Sequence, residues 1–142
     1  MGWISYDIYG GDGTQSSHYD LLKKLRVAKD DDEADDMIQY KGTIIPKNRI
    51  PFLYYNIDKI KLKRPKCWNE DNAIDHQMVL ALFVDNNLPV PADIKSNGID
   101  ATLYLMEEHA DDFDNPNRRK TILKKFITKA LDLKTYSKKK YL

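Results

Sequence analysis

The chain has 142 residues, of which 42% are hydrophobic and 32% charged, with a net charge of +1 and one cysteine, Cys67. That length suits one core without staples, and a lone cysteine excludes an internal disulfide. No apolar run reaches the roughly 20 residues of a membrane-spanning helix, and Met1–Asp7 lacks the basic-then-apolar order of a signal peptide, so a reducing cytoplasm is the expected compartment.

Residues 3–9 are aromatic and β-branched with weak alternation, which predicts a short strand or extended arm. Gly10-Gly11-Asp12-Gly13 breaks it, and Ser16 or Ser17 is an N-cap for a short helix carrying Tyr19, Leu22 and Leu25 to near Ala28. Asp30 to Glu33 give a second short helix an acidic start that opposes the helix dipole. Its inward residues are Ala34, Met37 and Ile38, and Gly42 ends it. Pro46 and Pro51 bracket an irregular entry to a third helix bearing Leu53, Tyr54, Ile57 and Ile60, with lysines at its end and a stop at Pro65.

Asn69 caps the next helix, with Glu70 and Asp71 in its first turn and an apolar face of Ala73, Ile74, Met78, Val79, Leu82 and Phe83. It ends near Asn86-Asn87. Leu88-Pro89-Val90-Pro91 is a tight connector with Pro91 at a first helical position. From Ala92 the pattern runs to about His109, and Gly98 either ends a short helix or sits inside a longer one. Asn115-Pro116 starts the last helix, which buries Ile122, Leu123, Phe126, Ile127, Ala130 and Leu131 beneath a cationic outer face. The expected fold is mainly α: one domain over 1–142, a compact bundle of five to six helices, with an irregular or β-like arm over 1–15 and a flexible basic tail over 134–142.

Charge is sorted along this order. Lys+Arg against Asp+Glu run 4 against 9 over residues 1–40, 8 against 1 over 41–67, 1 against 11 over 68–114 and 10 against 1 over 115–142. Blocks of this kind imply either internal packing of opposite faces or a charged partner. The basic residues Arg118, Arg119, Lys120, Lys124 and Lys125 are the candidate binding residues of the last helix, able to meet phosphates or an acidic protein. Nine tyrosines against four phenylalanines suit a contact surface, and the simpler reading is that they sit at the core boundary.

Asp12 and His18 lead the candidates for a site near the Gly-rich turn, with Asp7 and Asp20 beside them. The simpler reading is a Gly-Asp turn that feeds a capped helix, because no Gly-Lys-Ser/Thr loop and no calcium-loop glutamate is present. His76 has Asn72 and Leu80 one turn away, so a two-histidine zinc face is absent. His109 to Asn115 gathers polar ligand types in a loop, and a metal centre would need the fold to bring Asp7, Asp12, His18 and His109 together. No Gly-x-Ser-x-Gly elbow exists, and Cys67 beside Trp68 reads as a packed linker. We therefore assign no catalytic residue, metal or cofactor.

The stretches Gly10-Gly11-Asp12-Gly13-Thr14 with His18-Tyr19-Asp20, Asp71-Asn72-Ala73 with Gln77 to Asn86, and Glu108 to Pro116 together resemble small accessory proteins of phages and bacterial mobile elements. The resemblance carries over no site residue. It implies a setting, in which a small charged cytoplasmic protein binds and blocks a host or rival protein, as an anti-defence or immunity-type inhibitor. The alternatives are a nucleic-acid-binding accessory protein and a metal-dependent enzyme built on the Gly-Asp loop and histidines.

Overall fold

A computed structural model describes residues 19–39, 42–60 and 63–136. They form a mainly α bundle. The expected arm, the Gly-rich turn and the candidates Asp7, Asp12 and His18 lie outside the described residues, as does the tail beyond Tyr136.

The helical residues 19–24 form α1, which stops short of the expected Ala28. Arg26 adopts a left-handed φ of 56°, and the chain turns there so that Val27 and Ala28 are buried as loop residues. Asp31–Met37 form α2, capped by the Asp30 carboxylate on the Glu33 N–H at 3.0 Å. Ile38 does not continue that helix. It opens a two-residue strand β1 (Ile38–Gln39) paired antiparallel with β2 (Gly42–Thr43), a small hairpin the helical periodicity did not announce.

Ile50–Tyr55 form α3, also shorter than expected, because Asn56 interrupts the ladder. Its Nδ2 donates to Phe52 O and to Leu25 O, both at 2.9 Å, and the chain continues as a 3-10 turn over Ile57–Lys59. Glu70–Asp85 form α4, whose N-terminus is closed reciprocally: Asn72 N–H donates to Asn69 Oδ1 at 2.8 Å, and Asn69 N–H to Asn72 Oδ1 at 2.9 Å. Ala92–Glu108 form α5 with Pro91 as its cap residue, and Pro116–Asp132 form α6, started by Asn115 and Pro116 as expected.

The α4–α5 pair is the frame of the molecule. The two helices run antiparallel, with Gly98 of α5 set so closely against Leu80 that an added Cβ would stand 2.5 Å from Leu80 Cβ. Gly98 therefore lies inside one long helix, and its lack of a side chain is what lets the helices touch. Gln77 Nε2 donates to Thr102 Oγ1 at 3.2 Å one step along the same seam, and both residues are fully buried. One core cluster joins α1 to α6, from Leu21 through Leu82 and Phe83 to Leu123, Phe126 and Leu133. A smaller cluster of Ala73, Ala101 and Leu105, flanked by Trp68 and Tyr104, seals the end of the pair where α4 begins and α5 finishes.

Two loops are tied back onto this frame. Asn86 accepts from Ile45 N–H at 2.9 Å and donates to Thr43 O and Leu82 O at 3.0 and 2.8 Å, pinning the segment after the hairpin to the end of α4. Residues 134–136 return to the α4–α5 connector: Val90 N–H donates to Lys134 O at 2.9 Å, Tyr136 N–H to Val90 O at 2.8 Å, and the Tyr136 ring stacks on Tyr54 at 4.7 Å. The first three residues of the expected flexible tail are thus held in place.

Candidate functional site

The register of the α4–α5 pair decides which polar residues meet. Setting Leu80 opposite Gly98 and Gln77 opposite Thr102 carries the first turn of α4 to the last turn of α5. Glu70 and His109 are thereby neighbours despite 39 positions of separation in sequence. His109 Nδ1 stands 3.0 Å from Glu70 Oε2 and 3.1 Å from Asp112 Oδ2, the latter from the 3-10 turn Ala110–Asp112. His109 Nε2 faces the Tyr104 hydroxyl at 3.1 Å, with the two rings 5.3 Å apart. Both ring nitrogens are therefore engaged, and the imidazole is held from two sides. The histidine side chain is 25% exposed, against 54% and 64% for the carboxylate side chains, so the group is open to solvent on its acidic side.

The second feature is the outward face of α6. The helix packs through Leu123, Phe126 and Ala130, which are buried. Lys124, Lys125 and Lys129 are exposed, and their ammonium groups make no ion pair among the described residues. Leu131 was expected inward. It is 60% exposed and lies two turns after Lys124 on the same face. Lys120 is half-buried and Arg118 exposed.

Arg119, expected among the binding residues of the last helix, is not offered to solvent. It is only 4% exposed, and its guanidinium sits 4.3 Å from the centre of the Phe113 ring. A desolvated cation over an aromatic face is worth about 2 kcal/mol, so Arg119 serves the packing of α6 on the loop before it.

The basic block at 41–67 is partly used inside the molecule. Arg64 pairs with Asp100 at 2.6 Å, donates to Asn97 Oδ1 at 3.1 Å and lies over the Trp68 ring at 5.4 Å. Arg49 reaches Glu33 at 3.4 Å and donates to Val27 O at 3.2 Å. Beside Arg64, the Trp68 ring meets His76 edge-on at 5.1 Å. Burial lowers the pKa of His76, while a backbone hydrogen bond to Lys63 and the nearby Asp75 act the other way. Cys67 is exposed.

Several tyrosines prove to be boundary residues with their polar tips engaged. Tyr19 donates to Asp35 at 2.6 Å and Tyr54 to Pro89 O at 2.7 Å. Tyr55, by contrast, is 88% exposed, next to Phe52 on the outer side of α3.

Glu70 was the residue that sequence reasoning missed. As a first-turn acid beside a helix cap it carries an ordinary local explanation, and its pairing with His109 follows only from the register of two long helices. No helix of the described residues is long and apolar enough to cross a membrane. No protein-family model, no curated protein and no solved structure matches the chain.

Proposed function

We propose that this protein is a non-enzymatic binding protein that engages an acidic protein partner through the outward face of α6 and acts by occluding it. The observation that carries this reading is the state of Lys124, Lys125 and Lys129, three exposed cations with no ion pair among the described residues, on a helix whose other side is committed to the core. Charge in excess of internal need steers association with a complementary surface. The exposed Leu131, on the Lys124 edge of this face, favours a protein over a phosphate backbone, since interface cores exclude water with apolar side chains while phosphate contacts are polar. The resemblance to accessory proteins of phages and mobile elements supports a host or rival protein as the partner, in an anti-defence or immunity-type role.

The test is affinity capture from a bacterial host with the full chain and with a Lys124→Glu/Lys125→Glu/Lys129→Glu variant. A stoichiometric partner with an acidic surface, lost in the variant at unchanged thermal midpoint, is the expected result. No stoichiometric partner overturns the reading. A gel shift on DNA or RNA at about 50 mM salt that vanishes steeply as salt rises would transfer the same face to nucleic-acid binding.

A further inference from the structure

We infer that Glu70, His109 and Asp112 form a binding site for a first-row divalent cation, zinc(II) or manganese(II), at the closed end of the α4–α5 pair. The inference is independent of the partner-binding face, which lies on α6. Three observations converge on it. First, one imidazole nitrogen and two carboxylate oxygens, from the first turn of α4 and from the turn that follows α5, all lie within 4.8 Å of one another. Second, the spacing suits a metal. At bond lengths of about 2.1 Å, two ligands on an ion stand about 3.0 Å apart at right angles and about 3.4 Å apart in the tetrahedron zinc favours; Nδ1 is 3.0 and 3.1 Å from the two oxygens, at the first value and within about 0.4 Å of the second. Third, the other ring nitrogen of His109 is held at 3.1 Å by Tyr104, a residue outside the ligand set that packs against Ala73, Ala101 and Leu105. A histidine that ligates a metal characteristically has its second nitrogen fixed in this way, which sets the tautomer and the ring plane.

The ligand chemistry narrows the ion. An imidazole beside two carboxylates suits zinc, iron or manganese, whereas magnesium and calcium take oxygen donors throughout. Three protein ligands leave the remaining positions to water, on the side where both carboxylates are exposed. For the ion to bind, Nδ1 gives up any proton it carries and Nε2–H donates to the Tyr104 oxygen. The bound ion ties the start of α4 to the end of α5.

Titration calorimetry of the full chain with zinc chloride, and separately manganese chloride, reads the site directly. One-to-one binding is expected, weakened at least tenfold in His109→Ala and in Asp112→Asn, and unchanged in a His18→Ala/Cys67→Ser control. Tyr104→Phe keeps every ligand and the ring, so its expected loss of about tenfold isolates the positioning hydrogen bond. Circular dichroism establishes that each variant is folded, and if His109→Ala is not, Asp112→Asn and Tyr104→Phe decide. Absence of saturable binding, full-strength binding by these variants, loss in the His18→Ala/Cys67→Ser control, or displacement of zinc by equimolar magnesium overturns the assignment.

Discussion

Gly98→Ala is the substitution for which the structure and the general rule for helices give opposite signs. In the middle of a helix, alanine is favoured over glycine by about 0.8–1.0 kcal/mol. In α5 the new methyl would stand 2.5 Å from both Leu80 Cβ and Leu80 Cδ2, against an ordinary carbon–carbon separation of about 3.5–4.0 Å. Leu80 Cδ2 can swing aside, but its Cβ is fixed by the backbone of α4. Leu80 is also fully buried, so it has no solvent to move into. The helices must therefore separate by about 1 Å, and overpacking of this kind costs about 1–3 kcal/mol. Set against the propensity gain, the net effect is a destabilisation of about 1–2 kcal/mol at the upper end of that range. Urea unfolding followed by far-ultraviolet circular dichroism reads it as a lower midpoint at unchanged slope, and a thermal scan as a fall of about 3–8 °C. In a Leu80→Ala background the Cδ2 and Cγ contacts vanish, and the cost of Gly98→Ala should shrink, a coupling measurable by a double-mutant cycle. A Gly98→Ala protein more stable than the parent would refute the close α4–α5 approach, and with it the register that brings Glu70 to His109.

Other perturbations follow from single anchors. Asn86→Ala removes the acceptor of the Ile45 N–H and one donor to Thr43 O, which should cost about 1–3 kcal/mol and speed hydrogen exchange at the Ile45 amide; an unchanged exchange rate would show the anchor to be idle. Asn69→Ala removes one half of the reciprocal cap of α4 and should lower stability by about 1 kcal/mol, read by the same urea melts. The lowered pKa of His76 means that the unfolded chain takes up a proton more readily than the folded one. Stability from this group is present above the unfolded histidine value of about 6.5 and is lost as pH falls toward the lower folded value. Urea midpoints measured from pH 7 to pH 5 should fall more steeply for the parent than for His76→Gln; equal slopes would refute the burial of a neutral imidazole against Trp68.

What was legible in the sequence was local. Asn69 before Glu70 and Asp71, and Asn115 with Pro116, mark helix starts because capping is decided within a few residues, and both starts are where the pattern put them. The early ends of α1 and α3 were hidden because the competing partners are distant: Asn56 turns the chain by reaching Leu25 O as well as its own helix. Gly98 was ambiguous for a related reason. Nothing near it in sequence distinguishes a helix end from a helix contact, and Leu80 supplies the answer. The site shows the same limit. His109 stood out as a polar loop residue, but Glu70 gained its meaning only when two long helices were laid antiparallel.

The charge blocks divide along that line between local and tertiary causes. Acids at Asp31, Asp32, Glu33, Glu70 and Asp71 occupy first helical turns, where exposed N–H groups favour them. Arg49 and Arg64 answer acids across the fold, and Arg119 is spent on Phe113. The basic block of α6 does not pair with the 68–114 acids through Lys124, Lys125 or Lys129, because α6 meets the rest of the bundle through Leu123, Phe126 and Ala130. Removing those three charges should therefore leave folding almost untouched, since exposed ion pairs are worth less than about 1 kcal/mol even where they exist. A Lys124→Gln/Lys125→Gln/Lys129→Gln protein whose urea midpoint matches the parent would place the cost of this cationic face outside the fold, in association. A midpoint that drops by more than about 1 kcal/mol equivalent would return the same charges to the protein's own stability.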